Sequence, residues 1–221
     1  MCSRYIPVLK KPKLKLKFGV EGFEVAEYGT LKAETYPTYF SPFIRKHELA
    51  DVGDEAVPFR ELMIGSFGLI PHWSKDSKIA RQTYNVRSET AHIKPSFRDA
   101  WRLARHCIIP AEAIYEPDWR FGKCEPTKII RTDGEPMGIA GLWTGWKNPA
   151  NGEIVRSFSM LTVNADDHPF MQNFHKPDDE KRMVVILHED EYDAWLAAPP
   201  QESGYFLRQF PAELMTVSQP G

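Results

Sequence analysis

The chain has few cysteines: Cys2, Cys107 and Cys124 are the only three in 221 residues. An odd, widely spaced set builds no disulfide framework and no paired zinc knuckle. None of the seven histidines sits in an HExxH or comparable metal spacing, so no metal and no cofactor is expected. No apolar run approaches the roughly 18 residues of a membrane span, and no basic-then-apolar leader opens the chain. These absences lead to the expectation of a soluble cytoplasmic protein without membrane contact. Net charge is only −2, which excludes a polycation. No internal repeat or low-complexity linker divides the sequence, so residues 1–221 read as one domain, with enough chain to bury a core unaided.

Charge is uneven all the same. Residues 1–18 hold Arg4, Lys10, Lys11, Lys13, Lys15 and Lys17 and no acid. Such a basic end can grip a phosphate backbone through counterion release. The period-two alternation of Lys13 to Phe18 equally fits a lysine-rich edge strand. Charge alone leaves both readings open.

Strands are predicted at Arg105–Tyr115, Thr127–Thr132, Met137–Trp146, Arg156–Asn164 and Arg182–Leu187, all rich in Ile, Val, Phe or Trp. The first should stop at Glu116, because Pro117 has no N–H for a ladder. Asp133-Gly134 and Asn151-Gly152 read as hairpin turns. Ser96 can cap a helix that buries Phe97, Ala100, Trp101 and Ala104. A second helix over Glu189–Ala198 buries Tyr192, Trp195 and Leu196 and stops at Pro199-Pro200. The fold class is therefore α+β, with a largely antiparallel sheet and a few helices.

Five places carry residues suited to chemistry. Cys2 would become the first residue on removal of Met1. It would then offer an amine with a pKa near 7.7–8.0 beside a thiol. That pair condenses with an aldehyde and closes to a thiazolidine, favoured by tethering. Asn85, Arg87 and Glu89 alternate, so an extended backbone would turn all three to one face. Glu116, or its rival Glu112, lies on an apolar strand that suits a proton shuttle. His175, seven residues before Arg182, lies in a loop feeding a strand and can act as a general acid. Trp73, in Phe67–Trp73, is either core or a wedge against an unstacked base. Each has an ordinary structural explanation: a frayed terminus, a surface ion pair, a strand end, an incidental histidine, a core aromatic.

Taken in order, the motifs are more telling. Met1-Cys2-Ser3-Arg4-Tyr5, Phe67-Gly68-Leu69-Ile70-Pro71-His72-Trp73 and Asn85-Val86-Arg87-Ser88-Glu89-Thr90 are followed by Cys107–Glu116, Gly138–Trp143, Thr162–Ala165 and His175–Leu187. The series resembles the SRAP family, the SOS-response-associated peptidases or abasic-site processing proteins. The resemblance implies a barrel-like β core. It implies that Cys2 forms a thiazolidine with a ring-opened abasic sugar and that Asn85 positions the deoxyribose. Glu116, preferred over Glu112, would shuttle protons, and His175 would assist ring opening. Arg4, Arg87 and Arg182 would meet phosphates, and Trp73 would line the DNA path. The implied partner is single-stranded DNA with abasic sites, met by a monomer; self-removal of Met1 and abasic-site lyase activity go with it. The chain departs from the family where Ser3 replaces Gly, where Thr35–Pro42 replaces a Tyr-Asn-x-Ala-Pro loop, and where the lysine-rich stretch replaces the first helix. Two other classes stand beside this reading: an N-terminal-nucleophile cysteine peptidase or amidase, and a noncovalent single-stranded DNA-binding module.

Overall fold

A computed structural model describes residues 2–20, 29, 31–120 and 122–218. Five long strands set its architecture: β2 (Phe40–Lys46), β3 (Arg60–Phe67), β5 (His106–Asp118), β7 (Met137–Lys147) and β8 (Ile154–Asn164). They pair in the order β7-β8-β3-β2-β5, and β5 returns to β7, so the sheet closes into a five-stranded barrel. Closure removes the barrel's own edges and encloses one core, in which Phe43, Phe67, Ile109, Phe158 and Met160 are fully buried.

β5 organises the rest. Its first half pairs β7 from His106 to Ala111, and its second half pairs β6 (Glu125–Arg131) from Ile114 to Asp118. Between them it takes β1 (Tyr5–Pro7), with Tyr5 opposite Ile114. The strand runs through Pro117, contrary to the expected stop at Glu116. Pro117 faces Pro126, so neither needs a ladder N–H, and the Pro117 carbonyl instead accepts from the His175 amide at 2.7 Å.

The short β4 (Asn85–Arg87) pairs β8 in parallel, as does β3, so the sheet is antiparallel with two parallel seams. β9 (Arg182–Val184) pairs β8 and β10 (Ile186–Leu187) pairs β7, which splits the single strand expected over Arg182–Leu187 at Val185. Asp133-Gly134 forms a turn, but β6 and β7 do not pair with each other; both pair β5, so this is no hairpin. Asn151-Gly152 does join the paired β7 and β8. The last strand, β11 (Met215–Val217), pairs β6.

The lysine-rich stretch is α1 (Lys11–Phe18), and the edge-strand reading is corrected. Pro12 suits the first turn, Gly19 closes the end at φ 62°, and Leu14 and Phe18, one helical turn apart, are both buried. The lysines fan outward, where Lys13 meets Glu112 at 2.5 Å and Lys17 meets Glu135 at 3.0 Å. The second helix, α2 (Arg98–Arg102), is shorter than expected, with Phe97 rather than Ser96 at its start and no side-chain cap. α3 (Tyr192–Ala197) buries Tyr192, Trp195 and Leu196 as the pattern implies. Among the described residues no helix is long and apolar enough to cross a membrane.

Two positions make the fold testable. Gly68 has φ 115°, and a Cβ there would lie 2.0 Å from the Ala80 carbonyl oxygen. Gly68→Ala is expected to destabilise the protein by about 2–4 kcal/mol in urea unfolding, from backbone strain plus overpacking. His106 stacks on Trp195 with ring centroids 4.0 Å apart and shares a 2.9 Å hydrogen bond with Ser203. Burial pulls its imidazole down to about 4. Below pH 6.5 the unfolded chain binds a proton that the folded chain refuses, so stability falls as pH drops from 6.5 towards 4. The loss reaches at most about 1.4 kcal/mol per pH unit. Urea unfolding across that range should show a shallower slope in His106→Gln than in the wild type.

Candidate active site

The site is assembled at the second half of β5, where the chain's first residues are stitched down. The Tyr115 amide donates to the Arg4 carbonyl at 3.0 Å, and Tyr5 exchanges backbone hydrogen bonds with Thr35 at 3.2 and 2.9 Å. Cys2 is carried inward and is fully buried. Its Sγ lies 3.3 Å from the Arg4 carbonyl oxygen, and its own carbonyl accepts from Asn85 Nδ2 at 2.6 Å. The Cys2 carbonyl thus orients the Asn85 side chain. Its Oδ1 is buried without a hydrogen-bond partner among the described residues.

Glu116 is 1% exposed, so it does not mark a solvent end. His175 Nε2 lies 3.1 Å from Glu116 Oε2. The histidine reaches it because residues 174–175 dock on β5: Phe174 bridges Asp118, and the His175 amide binds Pro117. His175 takes φ 64°, a left-handed conformation that is uncommon outside glycine and costs about 1–3 kcal/mol. Glu112, the rival carboxylate, is spent on Lys13 at the surface.

The Cys2 thiol is pushed up to about 12, first by burial and then by the Glu116 charge. It is therefore held as the neutral thiol near pH 7. The four residues Cys2, Asn85, Glu116 and His175, drawn from four separate segments, form one buried cluster.

The residues expected to meet DNA are placed differently. Arg87 is half exposed and pairs with Glu180, while Arg4 makes a double bond set with Glu34 at 2.9 and 2.7 Å. Glu89 does not share a strand face with Asn85 and Arg87. The backbone turns into a 3-10 segment at Ser88, and Glu89 swings to Arg182 at 2.8 Å. Arg182 is 2% exposed and is held by Glu89, Glu180 and Thr162, which makes it a brace behind β4 rather than a surface cation. Trp73 is 47% exposed, not core, and its Nε1 donates to the Pro95 carbonyl at 3.3 Å. Sequence reasoning missed Glu34 and Glu180, the carboxylates that hold Arg4 and Arg87. Only their neighbourhood to known motifs hinted at them. Among the described residues no group of three or more His, Cys, Asp or Glu could hold a metal ion.

The closed barrel thus brings Cys2 to the Asn85 amide and to the stretch of β5 where Glu116 meets His175. The chain belongs to the SRAP family: the SOS response associated peptidase model matches residues 1–219. The abasic site processing protein YoqW of Bacillus subtilis is 31% identical over 157 residues, covering 69% of this chain and 66% of that protein. The abasic site processing protein HMCES of Gallus gallus is 29% identical over 195 residues, covering 76% of this chain and 54% of its own length. The chain thus spans between 43% and 66% of the length of the curated relatives it matches. A crystallised protein from Bordetella bronchiseptica superposes with a TM-score of 0.84 at 40% identity, over 99% of this chain and 100% of that one. One from Bacteroides thetaiotaomicron shares the fold with a TM-score of 0.81 at 23% identity.

The burial pattern gives a direct check. Cys124 is exposed while Cys2 and Cys107 are buried, and burial raises both of their thiols. In the chain that still carries Met1, iodoacetamide at pH 8 should alkylate Cys124 well before Cys2 and Cys107 in the folded protein, and all three cysteines in urea, as read by peptide mass spectrometry. Rapid native labelling of Cys2 would contradict this packing.

Proposed function

We propose that the protein captures abasic sites in single-stranded DNA covalently, through Cys2 once Met1 has been removed. Met1 lies outside the described residues; its loss is part of the proposal, as hydrolysis of the Met1–Cys2 peptide bond by the same site. The observation that carries the reading is the Asn85 amide on the Cys2 carbonyl at 2.6 Å, with Glu116 on β5 paired to His175 at 3.1 Å.

An abasic sugar exists partly as an open aldehyde. The free Cys2 amine adds to its C1′ and expels water, giving a Schiff base. The thiol then adds across the imine carbon, its proton passing to nitrogen, and a thiazolidine closes. Glu116 and His175 move the protons: one protonates the departing oxygen, the other accepts from the amine. Asn85 Oδ1 accepts a sugar hydroxyl. From the same Schiff base, loss of a C2′ proton with breakage of the C3′–O bond would cleave the strand, the lyase branch of the proposal.

Burial and the Glu116 charge push the Cys2 thiol up, and this does not stand in the way of capture. Schiff-base chemistry begins at the amine and needs no thiolate. The likeness to proteins named for abasic site processing supports the substrate class.

The proposal predicts a band that survives SDS and heat when the protein is incubated with an abasic single-stranded oligonucleotide. Cys2→Ala should abolish it. Glu116→Gln and His175→Ala should slow its formation by about a hundredfold or more, and Asn85→Ala by roughly tenfold. A denaturing gel with no shifted band, alongside hydrolysis of a model amide, would favour the peptidase class instead. Salt-sensitive binding untouched by Cys2→Ala, with no stable band, would favour a noncovalent module.

A further inference from the structure

The segment Thr35–Pro42 departs from the family's pattern, and it presents aromatic rings to solvent. Tyr36, Tyr39 and Phe40 are 38%, 44% and 50% exposed. Exposed aromatics are ordinary singly; here three occur within five residues, and Tyr36 and Tyr39 meet edge-to-face at 5.6 Å.

Their position is fixed rather than incidental. Tyr36 Oη donates to Glu34 Oε2 at 3.1 Å, and the Arg4 guanidinium lies 5.7 Å from the Tyr36 ring centroid and 3.8 Å from that of Tyr115. Between the two tyrosines, Thr38 adopts φ 78°, a left-handed conformation that a β-branched residue resists. It is held there because its amide donates to the Phe67 carbonyl at 2.6 Å, while the Phe67 amide donates to the Tyr39 carbonyl at 2.8 Å. The Tyr39 amide closes the turn on the Tyr36 carbonyl at 2.9 Å. The turn holds Tyr39 against Tyr36, whose ring lies beside Arg4, two residues from Cys2.

We propose that Tyr36 and Tyr39 form a stacking platform for an unpaired nucleobase next to the lesion. The inference rests on the reading of the Cys2 site as one that takes single-stranded DNA. A nucleobase is the occupant that fits. It is planar, its backbone phosphate would fall near the Arg4 guanidinium, and flat aromatic surface without base-specific donors binds any base by its π-face. The platform continues the site already described, joined to it through Glu34, Arg4 and Tyr115. Because the rings are locked before binding, little freedom remains to be lost on stacking.

The test separates stacking from covalent chemistry by using a tetrahydrofuran abasic analogue, which cannot crosslink. Fluorescence anisotropy would compare a single-stranded probe with bases on both sides of the analogue against probes stripped of the base on the 5′ or the 3′ side. Wild-type full-length protein should lose about fivefold or more in affinity when one of the two flanking bases is removed. Tyr36→Ala/Tyr39→Ala should bind all probes alike, at the level of the stripped probe. Tyr36→Phe and Tyr39→Phe keep the rings and should keep the preference. Wild-type protein that ignores both flanking bases would overturn the platform, as would a double alanine variant that retains the preference. A variant altered in self-association but not in DNA binding would also overturn it, placing a second copy of the chain on these rings. Failure of Cys2 crosslinking with the flanking-base preference intact would remove the covalent reading and leave the platform standing.

Discussion

The hydrogen bond from the Asn85 amide to the Cys2 carbonyl, 2.6 Å long and buried, ties the first residues of the chain to a short strand laid parallel on β8. Around it the other constraints fall into place. The Arg4 carbonyl takes the Tyr115 amide, β1 joins β5, and the thiol is carried to the stretch of β5 that bears Glu116. A chain terminus normally frays, because ordering it costs roughly 1–2 kcal/mol per residue in backbone entropy. Here strand pairing, an aromatic contact between Tyr5 and Phe67 and the Asn85 amide offset that cost. The barrel supplies the rigidity: β5 is paired along nearly all its length, to β7, β1 and β6 in turn, so Glu116 stands on a strand rather than a loop.

Charge in and around the site is arranged in opposed pairs. Glu116 raises the Cys2 thiol and faces His175. Outside, Arg4 meets Glu34 and Arg87 meets Glu180. The Arg4 bond holds the Glu34 carboxyl below its ordinary range, and bonds from Arg182, Asn164 and Arg87 outweigh desolvation to do the same for Glu180. Two arginines are thereby kept oriented at a carboxylate, the side chain whose planar oxygens most resemble those of a phosphate. Arg182, buried between Glu89 and Glu180, transmits order to both: it fixes the acid that holds Arg87 and the turn that ends β4. Burying a guanidinium is tolerated only because two carboxylates and Thr162 surround it.

Much of this was legible in the residues. The strands over residues 106–118, 137–147 and 154–164 follow from β-branched and aromatic runs bounded by turn residues, and α3 from its apolar spacing. The gathering of Cys2, Asn85, Glu116 and His175 came through the resemblance, since spacing alone left Glu112 and Glu116 undecided. What misled was local. Lys13 to Phe18 alternates like a strand, yet Leu14 and Phe18 are also one helical turn apart, and Pro12 and Gly19 decide for the helix. Pro117 looked like a terminator, but a proline opposite a proline asks nothing of the ladder. Glu89 looked coplanar with Asn85 until the chain turned one residue earlier. Type alone left Trp73 as core or wedge; its indole lies on the surface against Pro95. The carboxylate partners of the arginines were invisible, because ion pairs such as Arg4–Glu34 and Arg87–Glu180 join residues 30 and 93 positions apart.

The central claim is that an unblocked amine and thiol on Cys2 together take up a sugar aldehyde. Intact mass spectrometry of the product formed with an abasic single-stranded oligonucleotide tests it most directly, because thiazolidine closure consumes one amine, one thiol and one aldehyde and releases one water. A single adduct is expected whose mass equals the chain without Met1, plus the oligonucleotide, minus one water, with tandem fragmentation placing the link on Cys2. An adduct on a lysine, or a chain that still carries Met1 and forms no adduct at all, would contradict it.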